Sequence, residues 1–278
     1  MSVGGLFVGL ATLDVVQRVD RLPGADEKTV ARESWLAAGG PAAVAAITFA
    51  ALGGHARLWT AIGTSPAGRI VAADLASAGV EVVDVAPPGF ELAPSTVLLG
   101  AGSGERAVVS GSGRPVAFGK IAGPDLSGVD VVLVDGHHEP LCRSAALAAG
   151  SVPVVVDAGS HKPVFDDVFA FATDVICSAD YVHPAGLAPR ELLASGPRLV
   201  AVSHGGSPLE WWTAEASGTV VPEPVTAVDT VGAGDVLHGA YCHGLASGPD
   251  RVAALERAVA AATERVRHLG PFAWRAAL

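Results

Sequence analysis

Short runs of Val, Leu and Ile alternate along the chain with longer Ala-rich stretches, and each run ends in Gly or polar residues. Residues 6–10, 58–62, 129–134, 152–156, 175–177 and 199–202 are apolar almost throughout. Hydrophobicity that is continuous rather than alternating marks strands buried on both faces, so these runs predict a mostly parallel sheet covered by helices. Residues 41–52 read as one such helix, opening on Gly39-Gly40-Pro41; residues 68–78 read as the next, ended by Gly79. Two stretches break the rhythm. Residues 15–36 are polar with short alternating fragments, and residues 95–109 read as a hairpin around a Gly-rich turn. They predict a small sheet outside the main one, contributed by about 15–36 and 95–118 and placed as a lid over a cleft. Near the C-terminus, residues 220–228 read as a strand, Gly232 and Gly234 as a tight turn, and residues 236–245 as a helix.

That last turn carries the strongest chemistry. In Asp229-Thr230-Val231-Gly232-Ala233-Gly234-Asp235 the glycines leave backbone N–H groups uncovered at a helix start, where the positive end of the helix dipole also attracts anions. Asp235 falls in the first turn beside such an anion. It reads either as a helix-capping acid or as a base that chemistry requires there. Asp14, just past the first strand, lies where open α/β sheets bind ligands, or else simply forms a turn. Gly39-Gly40 offers a second exposed backbone at a helix start. Arg106, early on the second hairpin strand, reads as a surface residue or as a contact to an anionic ligand. Lys162, after a strand end, is a candidate phosphate contact. His137-His138-Glu139 suggests a metal site, but adjacent residues point apart and no second cluster completes the ligand set; no metal ligand is assigned. Residues 113–120 depart from P-loop spacing, no GxGxxG follows the first strand, and Gly205-Gly206-Ser207-Pro208-Leu209 lacks the closing Gly of a nucleophile elbow.

Composition narrows the partners. The formal net charge of −10 argues against nucleic acid or an anionic membrane surface. The three cysteines, Cys142, Cys177 and Cys242, are far apart and show neither disulfide nor zinc spacing. No leader pattern and no bilayer-length apolar run is found, so the expectation is a cytoplasmic protein.

Read together and in order, these segments resemble the ribokinase-like (PfkB) carbohydrate kinases. Residues 229–235 are similar to the family's DTxGAGD signature. Gly9 through Asp14 is similar to its first strand and sugar-binding Asp, and Gly39-Gly40 through Gly53 to its sugar-site motif. Gly104-Glu105-Arg106 resembles its lid hairpin, and Ser203-His204-Gly205 the strand end that meets the nucleotide. Residues 39–52, 178–187 and 228–240 look closest to the sulfofructose kinase and ketohexokinase side. The resemblance implies a single domain over residues 1–278, a three-layer α/β/α sandwich with a small β lid, and ATP- and Mg2+-dependent phosphoryl transfer to a sugar hydroxyl. Asp235 would be the general base, and the N–H groups of Gly232, Ala233 and Gly234 the anion hole. Asp14, Gly39, Gly40 and Arg106 would bind the sugar; Lys162, Ser203, Gly205, Thr230, Ala262 and Gly270 would line the nucleotide site. A homodimer through the lid sheets is expected. The chain departs from the family at Val44, where an Asn is common, at Ser178-Ala179-Asp180-Tyr181 in place of NxxE, and at a shortened Gly270–Trp274 loop, which leaves monovalent-cation activation open. A nucleoside kinase of the same superfamily and a non-catalytic binding homologue are the alternatives.

Overall fold

The computed structural model describes residues 2–101, 106–111 and 116–278. Gly104 and Glu105 of the expected lid hairpin, and Gly113, lie outside them. In chain order the elements are β1 (Gly4–Val8), β2 (Thr12–Val19), β3 (Glu33–Gly39), α1 (Pro41–Ala51), β4 (His55–Thr60), α2 (Pro66–Ser77), β5 (Val80–Asp84), β6 (Pro94–Gly100) and β7 (Arg106–Ser110). They continue with β8 (Val131–Val134), α3 (Glu139–Ala148), β9 (Val154–Ala158), the single turn α4 (Phe165–Val168), β10 (Asp174–Ser178), β11 (Leu199–His204), β12 (Ser207–Trp212) and β13 (Ser217–Val220). The long pair α5 (Ala233–Ser247) and α6 (Arg251–Val266) follows, and short 3-10 turns span Pro189–Ser195 and Ala273–Ala277.

The main sheet runs β13-β12-β11-β10-β9-β8-β1-β4-β5. All its pairings from β5 to β11 are parallel; β12 and β13 add an antiparallel edge. Alternate residues of the central strands feed two cores. Phe7, Leu133, Val155, Ile176 and Ala201 pack under α1, α2, α5 and α6, whereas Leu6, Val8, Val132, Val156 and Val202 pack under α3, α4 and the 189–195 turn. Both faces are therefore covered, as the continuous apolar runs require, and the fold is the three-layer α/β/α sandwich expected from the sequence. The second sheet runs β3-β2-β6-β7, with β2 and β6 parallel and the outer pairs antiparallel.

Several sequence expectations shift in detail. Asp14 sits within β2, paired with Ala37 and Ser95, rather than in the turn after β1. The run 220–228 is not a strand: β13 ends at Val220, and Pro222 and Pro224 fall in the irregular segment leading to the turn. Pro withholds the N–H a sheet ladder needs, which outweighs the Val propensity there. Gly205-Gly206 is the turn of the β11–β12 hairpin.

Small side chains set the geometry that matters most. α1 is built almost wholly from Ala and other small residues, and seven of its eleven residues are buried. It crosses α5 so closely that a Cβ added at Gly239 would lie 2.3 Å from the Ala45 carbonyl oxygen and 2.7 Å from Thr48 Cβ. Such overpacking costs about 1–3 kcal/mol, and more where backbone must move. Gly239→Ala should therefore lower the melting temperature, by roughly 2–4 °C per kcal/mol lost in a chain of this size. Gly248→Ala, where a Cβ meets nothing within 4 Å, should melt like the parent. Equal melting of the two variants in a calorimetric scan would show that the helices have room to spare.

Candidate functional site

Because α1 and α5 touch, their N-termini open on the same cleft at the carboxyl edge of the main sheet. Gly40 caps α1 and Gly232 caps α5. Gly232 has a φ of 72°, in the left-handed region that favours glycine. Gly234 and Asp235 occupy the first turn of α5, where N–H groups have no intrahelical partner. The Ala233 N–H is turned towards the Thr230 carbonyl at a long 3.3 Å.

A cleft of about 440 Å3 collects these groups. Asp14 and Gly40 line one side, residues 230–235 another, and Arg106, Ser95 and Val108 of the second sheet a third. Register places Ser95, Val97, Val108, Arg106 and Ser110 on the same face of that sheet as Asp14, so the cleft face of the small sheet looks onto α5. Gly39 stands behind Asp14: a Cβ there would lie 2.0 Å from its carboxylate. Among the residues read from sequence, the cleft thus unites Asp14, Gly40, Arg106, Thr230, Gly232, Ala233, Gly234 and Asp235.

The remaining residues expected to meet the nucleotide are spread along the edge. Lys162 lies over the Phe165 ring, with its Nζ 3.3 Å from Ser160 Oγ. The Ser203 hydroxyl donates to the Cys177 carbonyl at 3.4 Å, and Gly205 is exposed in its hairpin turn. Ala262 packs on the core. Gly270 faces Trp35 and donates its N–H to Asp229 at 3.1 Å.

Carboxylates crowd the cleft. Burial raises the Asp235 carboxyl well above the usual range, and the negative charges of Asp157, Asp14 and Asp135 push the same way, with Arg106 opposing. Asp14 is also raised by burial, against a 2.6 Å hydrogen bond from Thr12 Oγ1. Asp135 behaves oppositely. Burial resists its ionisation, yet the neighbouring His137 and N–H groups of Leu10 and His137 outweigh that and hold it below the ordinary value. It accepts from Leu10 N at 2.8 Å, His137 N at 2.8 Å and Ala42 N at 3.2 Å, so it also caps α1 from outside. His137 is drawn to Asp135 (3.4 Å), His138 precedes α3 and Glu139 is exposed, so the three diverge. Among the described residues no group of three or more His, Cys, Asp or Glu is arranged to hold a metal.

Sequence reasoning missed what steadies the loop. Asp229 Oδ1 accepts from Val231 N (2.9 Å), and Oδ2 accepts from Arg265 Nη2 (3.0 Å) and Gly270 N. Arg265 is 2% exposed and also donates to the His268 carbonyl at 2.8 Å. Losing one partner of such a buried pair costs about 3–5 kcal/mol. A signal was present: Arg265 continues the apolar stripe Ala254, Ala258, Ala261 of α6 at helical spacing. The C-terminal segment also surprises, since Pro271 and Phe272 line the pocket that holds Asp14, Val44 and Asp235.

The pfkB family carbohydrate kinase pattern matches residues 182–273. An ATP-dependent ribose-1-phosphate kinase of Halopiger xanaduensis is 30% identical over 244 residues, which is 85% of this chain and 82% of that protein. A ribokinase of Bacillus subtilis is 25% identical over 275 residues, 95% of this chain and 92% of its own. A crystal structure from Agrobacterium tumefaciens, provisionally assigned as a ribokinase, superposes with a TM-score of 0.86 at 27% identity, covering 99% of this chain and 94% of that one. One of these relatives is named a ribose-1-phosphate kinase and two are named ribokinases. With its sandwich fold, its Asp229–Asp235 turn at the head of α5 and this extent of identity, the chain belongs to the PfkB family of ribokinase-like carbohydrate kinases.

Proposed function

We propose that the chain uses ATP to phosphorylate a hydroxyl of a sugar or sugar derivative, with Asp235 as the general base. The observation that carries this reading is the half-buried Asp235 carboxylate at a helix N-terminus, lining one cleft with Asp14. Phosphoryl transfer needs mainly positioning and charge stabilisation, and both are available. Asp14 and the backbone at Gly39-Gly40 accept and orient sugar hydroxyls. The reacting hydroxyl passes its proton to Asp235 as it attacks the γ-phosphate. The first-turn N–H groups from Gly232 to Gly234 stabilise charge on the transferring group; the Ala233 N–H gives up its long bond to Thr230 to take part. Arg106 meets an anionic part of the bound ligands from the small sheet, which serves as the lid. Lys162, Ser203, Gly205, Thr230 and Ala262 flank the nucleotide, while Gly270 acts through Asp229.

Mg2+ bound with ATP supplies charge neutralisation on the phosphates. Asp180, exposed at the end of β10, is the carboxylate suited to hold it through water, since Tyr181 beside it is buried. The lid sheet also suggests an oligomer. Its outer face carries Leu36 (56% exposed) and Val109 (74% exposed) beside Val15, and a second copy of the chain packed there would cover them.

An Asp raised above its unfolded value of 3.8 binds its proton more tightly in the fold. Its stabilising contribution is complete below that value and is lost as pH rises through the folded value. Asp235→Asn should therefore melt at or above the parent at neutral pH while turnover falls by about 10²–10⁴. Near-parental turnover would remove Asp235 as the base. In the parent, kcat/KM should rise with pH through an ionisation above the ordinary carboxylate range; a profile flat down to about pH 4 would contradict the raised base. Leu36→Glu with Val109→Glu should convert a dimer to monomer in sedimentation velocity, and a parental chain already monomeric at assay concentration would end that proposal. ADP release on a panel of ribose, ribose 1-phosphate, ketoses, sugar acids and nucleosides tests the activity itself, with ATP binding but no turnover favouring a non-catalytic homologue.

A further inference from the structure

Two segments far apart in the chain turn their oxygens onto one side chain in the wall of the Asp14–Asp235 pocket. The guanidinium of Arg265, in the last turn of α6, donates through Nη1 to the His268 carbonyl at 2.8 Å and to the Asp229 carbonyl at 3.4 Å. Through Nη2 it donates to Asp229 Oδ2 at 3.0 Å. Arg265 is 2% exposed and Asp229 5%. Two backbone carbonyls and a carboxylate directed at one place form the kind of oxygen set that holds a metal cation. Their dipoles and charge repel one another unless a positive charge lies between them. A guanidinium is such a charge, with five donors in a fixed planar fork.

We propose that Arg265 is a tethered cation that positions the Gly232–Gly234 turn for phosphoryl transfer, so that no free monovalent cation is needed at this place. The proposal rests on the kinase reading and assigns a positioning residue to it. A free ion does not fit here, because among the same three oxygens it would overlap the guanidinium. What the guanidinium holds is coupled directly to the turn. Asp229 Oδ2 is fixed by Arg265 and by the Gly270 N–H at 3.1 Å, which leaves Oδ1 aimed at the Val231 N–H, 2.9 Å away and next to Gly232. Gly232, at φ 72°, starts α5 and sets the direction of its first-turn N–H groups. The backbone supplies a second tether. Val228 and Asp229 donate their N–H groups to the Val266 carbonyl at 2.7 and 3.3 Å. Without the guanidinium the segment thus stays attached to α6, while its carboxylate and carbonyls are left to repel. Arg265 is also the single basic side chain among the described residues lining this pocket, set against Asp14, Asp229 and Asp235.

The test exchanges salts at one ionic strength of about 0.1 M, so that screening is constant. Parental ADP release should not differ between KCl, NaCl and tetramethylammonium chloride. In Arg265→Ala, kcat should fall by about 10²-fold, as it does when reacting groups are misplaced, with the acceptor KM changed far less. KCl or guanidinium chloride should then raise the variant's kcat by about tenfold over tetramethylammonium chloride, since only the variant has room for an ion. For the same reason KCl should raise the melting temperature of Arg265→Ala and leave that of the parent unchanged. A pair with a purely structural role would not give ion-selective recovery of kcat. A parent that depends on KCl, an Arg265→Ala chain with parental kcat, or a loss that neither salt repairs in turnover or melting would each overturn the proposal. A parent with no turnover on any acceptor removes the kinase reading, and the melting comparison then decides the seat by itself. Should Arg265→Ala fail to fold, Arg265→Lys and the parental salt series decide. The ammonium keeps the charge and loses the fork, so turnover should stay within about tenfold with no response to KCl; a Lys variant that answers to KCl overturns the proposal.

Discussion

The close approach of α1 and α5 governs everything placed around it. With Gly239 against the Ala45 carbonyl, the helices stand near enough for the Gly40 and Gly232 caps to open on one cleft. Val44 lies 3.6 Å from where a Gly232 Cβ would be, so its side chain packs between the two helix heads. The Ala-rich composition of α1 is thus a condition of the site as much as of the core: larger side chains on that face would push apart the two ends that face the ligand.

Two helix heads concentrate partial positive charge, and the fold answers with carboxylates whose fates depend on what they touch. Burial disfavours ionisation of both the fully buried Asp135 and the half-buried Asp235, yet they shift in opposite directions. Asp135 accepts three backbone N–H groups and stands beside His137, so its ionised form is the supported one. Asp235 instead faces other acids. That raises its affinity for a proton, at some expense in stability at neutral pH. The turn before α5 is kept in place by a different device, the Asp229–Arg265 pair, which joins it to the end of α6 and to the 268–270 segment.

The small sheet has a separate economy. Its cleft face is polar near Asp14 and carries Arg106, while its own core is limited to Val16, Val97 and Leu99 with Trp35 and Val231 against them. An apolar cavity lined by Leu10, Thr12 and His138 adjoins the same cleft.

What the sequence determined by itself is whatever is local and periodic. Continuous apolar runs specified a parallel sheet buried on both faces, and the Gly39-Gly40-Pro41 and Gly232–Asp235 turns marked helix heads, because glycine and proline act on backbone angles next door. The proline-interrupted run at 221–228 misled, since local Val content was read without the missing ladder donors. Only the tertiary structure decided that Arg265 closes on Asp229 across 36 residues, that Phe272 reaches the pocket of Asp14 and Asp235, and that His138 lines a pocket beside the cleft. Each of these is a pairing between segments distant in the chain. Their energies come from burial and from charge at short range, which exist only once the helices and strands have packed.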